Sequence, residues 1–332
     1  MRPKTHLSPA FAGRFQPHAT RIRKWCCFGI ALLCLSSLLV TPACHRDQGK
    51  VIFALPVADW WTAAPFLLPQ NAEIFKQKGL DLTTLEVKSG LESKNAVIAG
   101  TADIGVCAAT PLAIAAAKNE GLVVLNTYLR ASSIVGFVRP KDMAPNAVPP
   151  APVGLVLSTI SESFLYHYLK QRGQEKLLID KQLPTRPARP ADIPGLFRSQ
   201  AVKSAVIWEP FLSIAGEETG YVADRSVPFE VNLYIITRPT VWNERKETVQ
   251  KFLAAVEETC RYLRENSDPS RRNTEQRFGF KADFLAATWP LVHYEVVWDL
   301  QHMKDEINRE AETAKALGQI SEIPKSDYLF AK

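Results

Sequence analysis

Residues 79–112 read GLDLTTLEVKSGLESKNAVIAGTADIGVCAATPL, and the fold follows from them. Leu80, Leu82, Leu85 and Val87 are the apolar positions of a strand, closed by a turn at Ser89-Gly90 where glycine lets the backbone approach a guest. Glu92 to Ala99 has helical spacing and stops at Gly100, a C-terminal cap. Asp103 leads into the apolar run Ile104–Cys107, and Ala109-Thr110-Pro111 follows. Pro111 suits the first turn of a helix over Ala113–Lys118, which puts Thr110 at its start, where unpaired backbone N–H groups point outward. Strands alternating with helices predict an α/β architecture with a mostly parallel sheet.

The alternation continues on both sides. Val51–Pro56 is an apolar strand running into Val57-Ala58-Asp59-Trp60-Trp61, ahead of a helix over Ala63–Lys78. Two tryptophans just past a strand stand at the edge where α/β sheets bind ligands, so Trp60 and Trp61 can wall a pocket; packing on the helix is the alternative. Downstream, Leu122–Leu129 and Ile134–Val138 read as strands. The prolines crowded between Arg139 and Pro152 forbid a helix or a central strand and predict a crossover between lobes.

Beyond it, Val153–Leu157 is a strand, and Ser158, Thr159 and Ser161 crowd the start of a helix over Phe164–Arg172. Hydroxyls beside unpaired N–H groups either hold an anion or simply cap the helix. Ser204–Ile207 runs into Trp208-Glu209-Pro210. Trp208 offers an apolar or cation-attracting face, and Glu209 either pairs with a ligand amine or caps the helix Phe211–Thr219. Val231–Ile236 brings the chain back to the first lobe. Helices over Val241–Glu265, Phe284–Val292 and Val297–Leu317 cover its outside.

The segments KGLDL, SG, AGTADIG and ATPLAIAAAK, in that order, followed later by KSAVIWEP, resemble the periplasmic solute-binding proteins of ABC importers for nitrate, sulfonates, taurine, bicarbonate and thiamine precursors. Lys203-Ser204 stands where that family usually has Asp-Ala, while the Trp-Glu-Pro is intact. The resemblance implies a type II bilobal periplasmic-binding-protein fold, with two mixed or parallel sheets flanked by helices and a two-strand hinge. Lobe 1 would take residues 50–139 and 231–332, lobe 2 residues 153–226, and the hinge crossovers 140–152 and 227–230.

It further implies capture of a small polar or anionic organic solute, sulfonate-like, taurine-like or pyrimidine-like, by closure of the lobes. Delivery is then to an ABC permease in the membrane, by a monomeric chain with no cofactor. The ligand contacts so implied are Trp60, Trp61, Ser89, Gly90, Ala109, Thr110, Ser158, Thr159, Ser161, Trp208 and Glu209. A ligand-sensing lipoprotein serving a membrane receptor would use the same lobes. An enzyme on this architecture is the third reading, and no GxSxG, HExxH, GxxxxGK[ST] or GxGxxG motif speaks for one.

Composition is that of a globular chain, with 46% apolar and 22% charged residues in a total of 332. The formal charge of +6 comes from the N-terminus: residues 1–43 carry six basic side chains and no acid, leaving 34 of each sign beyond. A balanced remainder gives no reason to expect nucleic acid as a partner. The basic start precedes the apolar run Phe28–Val40, too short to span a bilayer comfortably and suited to a signal-peptide core; a membrane anchor helix is the alternative. Thr41-Pro42-Ala43-Cys44 resembles a lipoprotein signal, which implies cleavage after residue 43, a linker over 44–49, and a lipid on Cys44 holding the protein in the periplasm or at the cell surface. Thr41 replaces the usual aliphatic residue, and cleavage without a lipid is the alternative. Cys107 falls in a buried strand and Cys260 in a helix, so two free buried thiols are expected. No Cys/His spacing suits a metal.

Overall fold

The computed structural model describes residues 49–330. The signal segment, Cys44 and nearly all of the linker expected before the first strand lie outside the described residues. Among the described residues no helix is long and apolar enough to cross a membrane.

The chain begins with β1 (Lys50–Pro56), α1 (Trp60–Leu67), α2 (Pro69–Gln77), β2 (Asp81–Val87), α3 (Gly90–Ala99), β3 (Ile104–Ala108), α4 (Ala109–Ala117) and β4 (Val123–Ser132). It continues through β5 (Val135–Pro140), β6 (Val153–Leu155), α5 (Ile160–Lys170), α6 (Lys176–Ile179), β7 (Thr185–Pro187), α7 (Ile193–Arg198), β8 (Ser204–Trp208), α8 (Phe211–Gly216) and β9 (Tyr221–Asp224). The last part is β10 (Glu230–Thr237), α9 (Pro239–Glu244), α10 (Lys246–Glu265), α11 (Ser267–Phe278), α12 (Ala282–Thr288), β11 (Val292–Val297) and α13 (Leu300–Ala316).

Two mixed sheets result, one with strand order β11-β4-β10-β3-β1-β2 and the other with order β7-β6-β8-β5-β9. In the first, β2, β1 and β3 are parallel, and β10 runs antiparallel between β3 and β4. In the second, β7, β6 and β8 are parallel, and β5 lies antiparallel between β8 and β9. The parallel pairs are those joined by crossover helices, which cover the sheet faces and let β3 and β8 be buried along their whole length. Under the first sheet, Phe53 of β1 meets Phe66 of α1 at a 4.5 Å ring separation and Phe252 of α10 at 5.2 Å. Rings at these distances and tilts gain both burial and an edge-to-face term.

Several expectations are corrected. The single helix over Ala63–Lys78 is two, because Pro69 has no N–H to donate and holds Leu68 extended at φ −71°, ψ 142°. The helix expected over Phe284–Val292 ends at Thr288, and Val292–Val297 is an edge strand paired with β4. Its residues, VHYEVV, are β-branched and aromatic, which suits a strand.

The strand at Val135–Pro140, grouped by sequence with the first lobe, stands in the second sheet between β8 and β9. The chain therefore changes sheet at Ser133-Ile134, ahead of the prolines, and these occupy the connection from β5 to β6 inside the second half. The return crossover runs from β9 to β10. There Ser133 N–H donates to the Phe229 carbonyl at 3.1 Å, so the two crossing segments lie side by side. Cys107 and Cys260 are free and buried, as expected.

Candidate functional site

Strand ends of both sheets converge on one small cavity of about 30 Å³. The first sheet contributes Pro56 at the end of β1 and Asp59 just after it, Trp61 in α1, Gly90 at the start of α3, and Ala108 at the end of β3. The second contributes Thr159 and Ile160 at the start of α5 and Trp208 at the end of β8. That space holds about a water molecule or two, so a larger guest needs the wall to part.

Each helix start at the cavity has a local cause. Ser89 caps α3, its side chain accepting Glu92 N–H at 3.3 Å, while the Glu92 carboxylate accepts Lys88 N–H at 2.9 Å. Thr159 caps α5 by accepting Ser161 N–H at 3.2 Å, and Glu162 accepts the N–H of Ser158, a residue held at φ 58°. Both starts are variants of the capping box, a hydroxyl forward and a carboxylate back. Gly90 has a second role: a Cβ there would lie 3.1 Å from Cys107 Cα, a crowded approach that glycine spares where the α3 start meets β3.

Hydrogen bonds cross the cavity from one sheet's residues to the other's. Trp61 Nε1 donates to the Glu209 carbonyl at 2.9 Å, and Trp208 Nε1 donates to Asp59 Oδ1 at 3.0 Å. Beside the cavity, Glu310 of α13 accepts from Thr110 Oγ1 at 2.6 Å and from Ser163 Oγ of α5 at 2.9 Å. Gln319 Nε2 donates to Glu162 at 2.7 Å. Burial pushes the Asp59 carboxyl up to about 8, only partly offset by the Trp208 indole N–H. Burial also pushes Glu310 up to about 7 against the two hydroxyls that hold it.

Of the residues named from sequence, Trp61, Gly90, Thr159 and Trp208 line this cavity. Trp60 is turned into the core, fully buried, and stacks on Trp289 at 5.4 Å. Ser89 and Ser158 serve the helix starts just described. Ala109 is buried at the start of α4, and the Thr110 hydroxyl goes to Glu310. Ser161 is fully buried and ties two strands together, donating to the Val206 carbonyl at 2.7 Å and accepting Val156 N–H at 3.2 Å. Ser93 does the same in the first half, between the Ala54 carbonyl at 2.8 Å and Val106 N–H at 2.9 Å.

The Glu209 side chain turns away from the cavity. It accepts Ser213 N–H at 3.1 Å and Ser213 Oγ–H at 2.8 Å, and it pairs with the Arg225 guanidinium, so it both caps α8 and forms an ion pair. Burial raises its carboxyl, and Arg225 opposes that rise. Asp59, which sequence reasoning did not choose, is the carboxylate in the wall. Its signal was position: an acid between a strand end and two tryptophans, at the edge where α/β sheets bind ligands.

Residues 60–174 match the family model described as NMT1/THI5 like. No curated protein matches the chain in sequence. Among solved structures, the alkanesulfonate-binding protein of Xanthomonas axonopodis pv. citri, bound to MOPS, is similar with a TM-score of 0.72 at 13% identity, over 85% of this chain and 98% of that one. The periplasmic aliphatic sulphonate-binding protein of Escherichia coli gives 0.67 at 13% identity, over 86% and 92%. The periplasmic nitrate-binding protein of Synechocystis PCC 6803 gives 0.61 at 13% identity, over 84% and 86%. The fold is thus the bilobal α/β fold of the periplasmic binding proteins, with the two mixed sheets flanked by helices that the sequence resemblance implied.

Proposed function

We propose that the chain is the exported solute-binding component of an ABC importer, which captures a small polar solute between its two lobes and presents the closed form to a membrane permease. The observation that carries this reading is the division of the cavity wall: Trp61 and Gly90 come from one half, Thr159 and Trp208 from the other. A guest touching both halves adds its binding energy to the closed arrangement alone, which is how a ligand shifts a hinge equilibrium. The paired crossovers at Ser133 and Phe229 are a suitable hinge, since there the chain passes between the two sheets on adjacent segments. On this reading the basic, apolar N-terminal segment directs export and Cys44 anchors the mature protein by a lipid.

The test is native mass spectrometry of the purified full-length chain with release of whatever co-purifies, followed by small-angle X-ray scattering with and without that compound. A stoichiometric, chemically unchanged small molecule whose addition reduces the radius of gyration is the expected result. A chain that carries nothing, and that sulfonates, taurine, nitrate, bicarbonate and pyrimidines neither stabilise nor compact, would overturn it.

A further inference from the structure

Glu310 also stands in the wall of a second, larger cavity beside the return crossover, whose walls are other residues than those around Trp61 and Trp208. Three parts of the chain meet there: α5 supplies His167, the crossover supplies Phe229, and α13 supplies Glu306, Arg309 and Glu310. Its volume is about 250 Å³. An apolar cavity of about 150 Å³ accommodates benzene, so this one has room for a ring with a short substituent while the wall stays as it is. Arg309 and Glu230 in its wall are exposed, which leaves a solute a way in.

The wall is rich in acceptors and poor in donors. Asn232 of β10, which lines it, is 1% exposed, and its Oδ1 has no hydrogen-bond partner. The other end of that amide is spent: Nδ2 donates to Glu306 Oε2 at 2.7 Å and to Glu230 Oε1 at 3.3 Å. Turning the amide over would only set its oxygen against two carboxylates. A buried amide oxygen left unpaired is costly, and an N–H brought by a guest removes that cost. Glu306 already accepts the Tyr234 hydroxyl and Glu310 the two hydroxyls of Thr110 and Ser163, yet a carboxylate oxygen can accept twice. Three acids thus face one guanidinium, that of Arg309, and burial pushes His167 down, which keeps its ring neutral at pH 7. Among the described residues no three His, Cys, Asp or Glu side chains stand close enough to hold a metal ion. Acceptors spread around a cavity suit N–H donors on an organic body better than a bare cation, which needs its ligands gathered on one point.

We propose that this cavity is a second ligand site, which takes a small organic ammonium ion, with Asn232 Oδ1, Glu306 and Glu230 as acceptors and Phe229 as an aromatic face. Because α5 belongs to one half of the molecule and β10 and α13 to the other, an ammonium ion held here ties the halves together beside the hinge. It does so whatever solute the lobes enclose. The titration of the wall agrees. Burial pushes Glu310 up to about 7 against Thr110 of α4 and Ser163 of α5, with Glu306 raising it further and Arg309 opposing on its own helix. Burial raises Glu306 as well. An entering cation favours the ionised form of both, so binding releases protons and tightens as pH rises.

The experiment is isothermal calorimetry on the full-length chain at pH 6 and pH 8, with benzylamine and cyclohexylamine as probes and benzyl alcohol and benzoate as their neutral and anionic counterparts. Wild type is expected to bind an amine and neither counterpart, with an affinity about tenfold higher at pH 8, as a carboxyl that must lose a proton near 7 requires. Glu306→Gln should weaken amine binding about tenfold or more through loss of a charge-assisted hydrogen bond, and Arg309→Met, which removes the competing cation, should strengthen it. Failure of both amines to bind, binding of either counterpart within about twofold of the amine, or an affinity that falls from pH 6 to pH 8 overturns the proposal. So does amine binding that Glu306→Gln and Asn232→Leu both leave within about twofold, since the amine then sits elsewhere. If neither of these variants folds, Arg309→Met at its exposed position decides, and weaker amine binding there overturns the proposal. None of these outcomes touches the solute-binding reading, whose test is the compound that co-purifies.

Discussion

Two turns face each other across the cavity, Asp59-Trp60-Trp61 after β1 and Trp208-Glu209-Pro210 after β8, and each sends an indole N–H to the other. The receiving atoms differ. Trp208 reaches a carboxylate oxygen of Asp59, whereas Trp61 reaches only the backbone carbonyl of Glu209. The cause is one cation. Arg225, from the segment after β9, holds the Glu209 carboxylate inside its own lobe, and Asp59 has no such partner in the wall. Two similar acid–tryptophan motifs thus differ in their partners: the acid paired with a cation becomes a strut within its own half, and the one without a cation stays in the cavity wall.

The largest expected effect is on pH dependence. Asp59 has a carboxyl raised from 3.8 to about 8, so across that window the folded state holds a proton that the unfolded state has lost. Stability contributed by this group is full below about pH 4 and is lost as pH rises through 8, a fall of up to about 6 kcal/mol. Urea midpoints measured between pH 5 and pH 8 should decline with pH, Glu310 adding to the slope in the same direction because its carboxyl rises from 4.5 to about 7. Asp59→Asn should flatten the profile more than Glu209→Gln; equal flattening would erase the distinction between the two acids.

Next in size is Arg225→Met. It strands a fully buried Glu209 carboxylate, at a cost of about 3 kcal/mol in unfolding free energy, somewhat less than a wholly buried pair because the guanidinium is partly exposed. The denaturation midpoint should drop. A solute's affinity for the chain that stays folded should hold, and a selective loss of affinity would place Glu209 among the ligand contacts after all.

The smallest effects sharpen the contrast. Trp61→Phe removes a hydrogen bond to a backbone carbonyl, and Trp208→Phe removes one from a buried carboxyl, each worth about 1 kcal/mol to the closed arrangement. Small-angle scattering should show both variants shifted toward an expanded form, Trp208→Phe further. The reverse order would mean that the Asp59 contact does not help hold the lobes together.

Much of the fold was legible because its signals are local. The run from Gly79 to Leu112 carries its own turn residues, caps and apolar spacing, and the structure follows it closely, with Gly100 ending α3 at φ 79°. The errors came from competition beyond a local window. Pro69 broke a helix that apolar spacing alone made continuous, and Val292–Val297 became a strand because β4 offered an edge to pair with. Val135–Pro140 reads as a strand in any sheet, and nothing in its six residues says which one.

The candidate site was legible in outline and not in its chemistry. Sequence placed Trp61, Gly90, Thr159 and Trp208 at strand ends and helix starts, where local geometry exposes them to a cleft. Whether a polar side chain faces that cleft depends on partners far away in the chain. Ser161 is consumed by Val206, forty-five residues on, Thr110 by Glu310, two hundred on, and Glu209 by Arg225. By itself, then, the sequence determined the alternation of elements, the helix caps and the two acid–tryptophan turns, all of which arise from backbone preferences within a few residues. Only the tertiary structure decided which of the two acids was neutralised and which was left in the wall, because charge pairing is set by distances in space that no local pattern encodes.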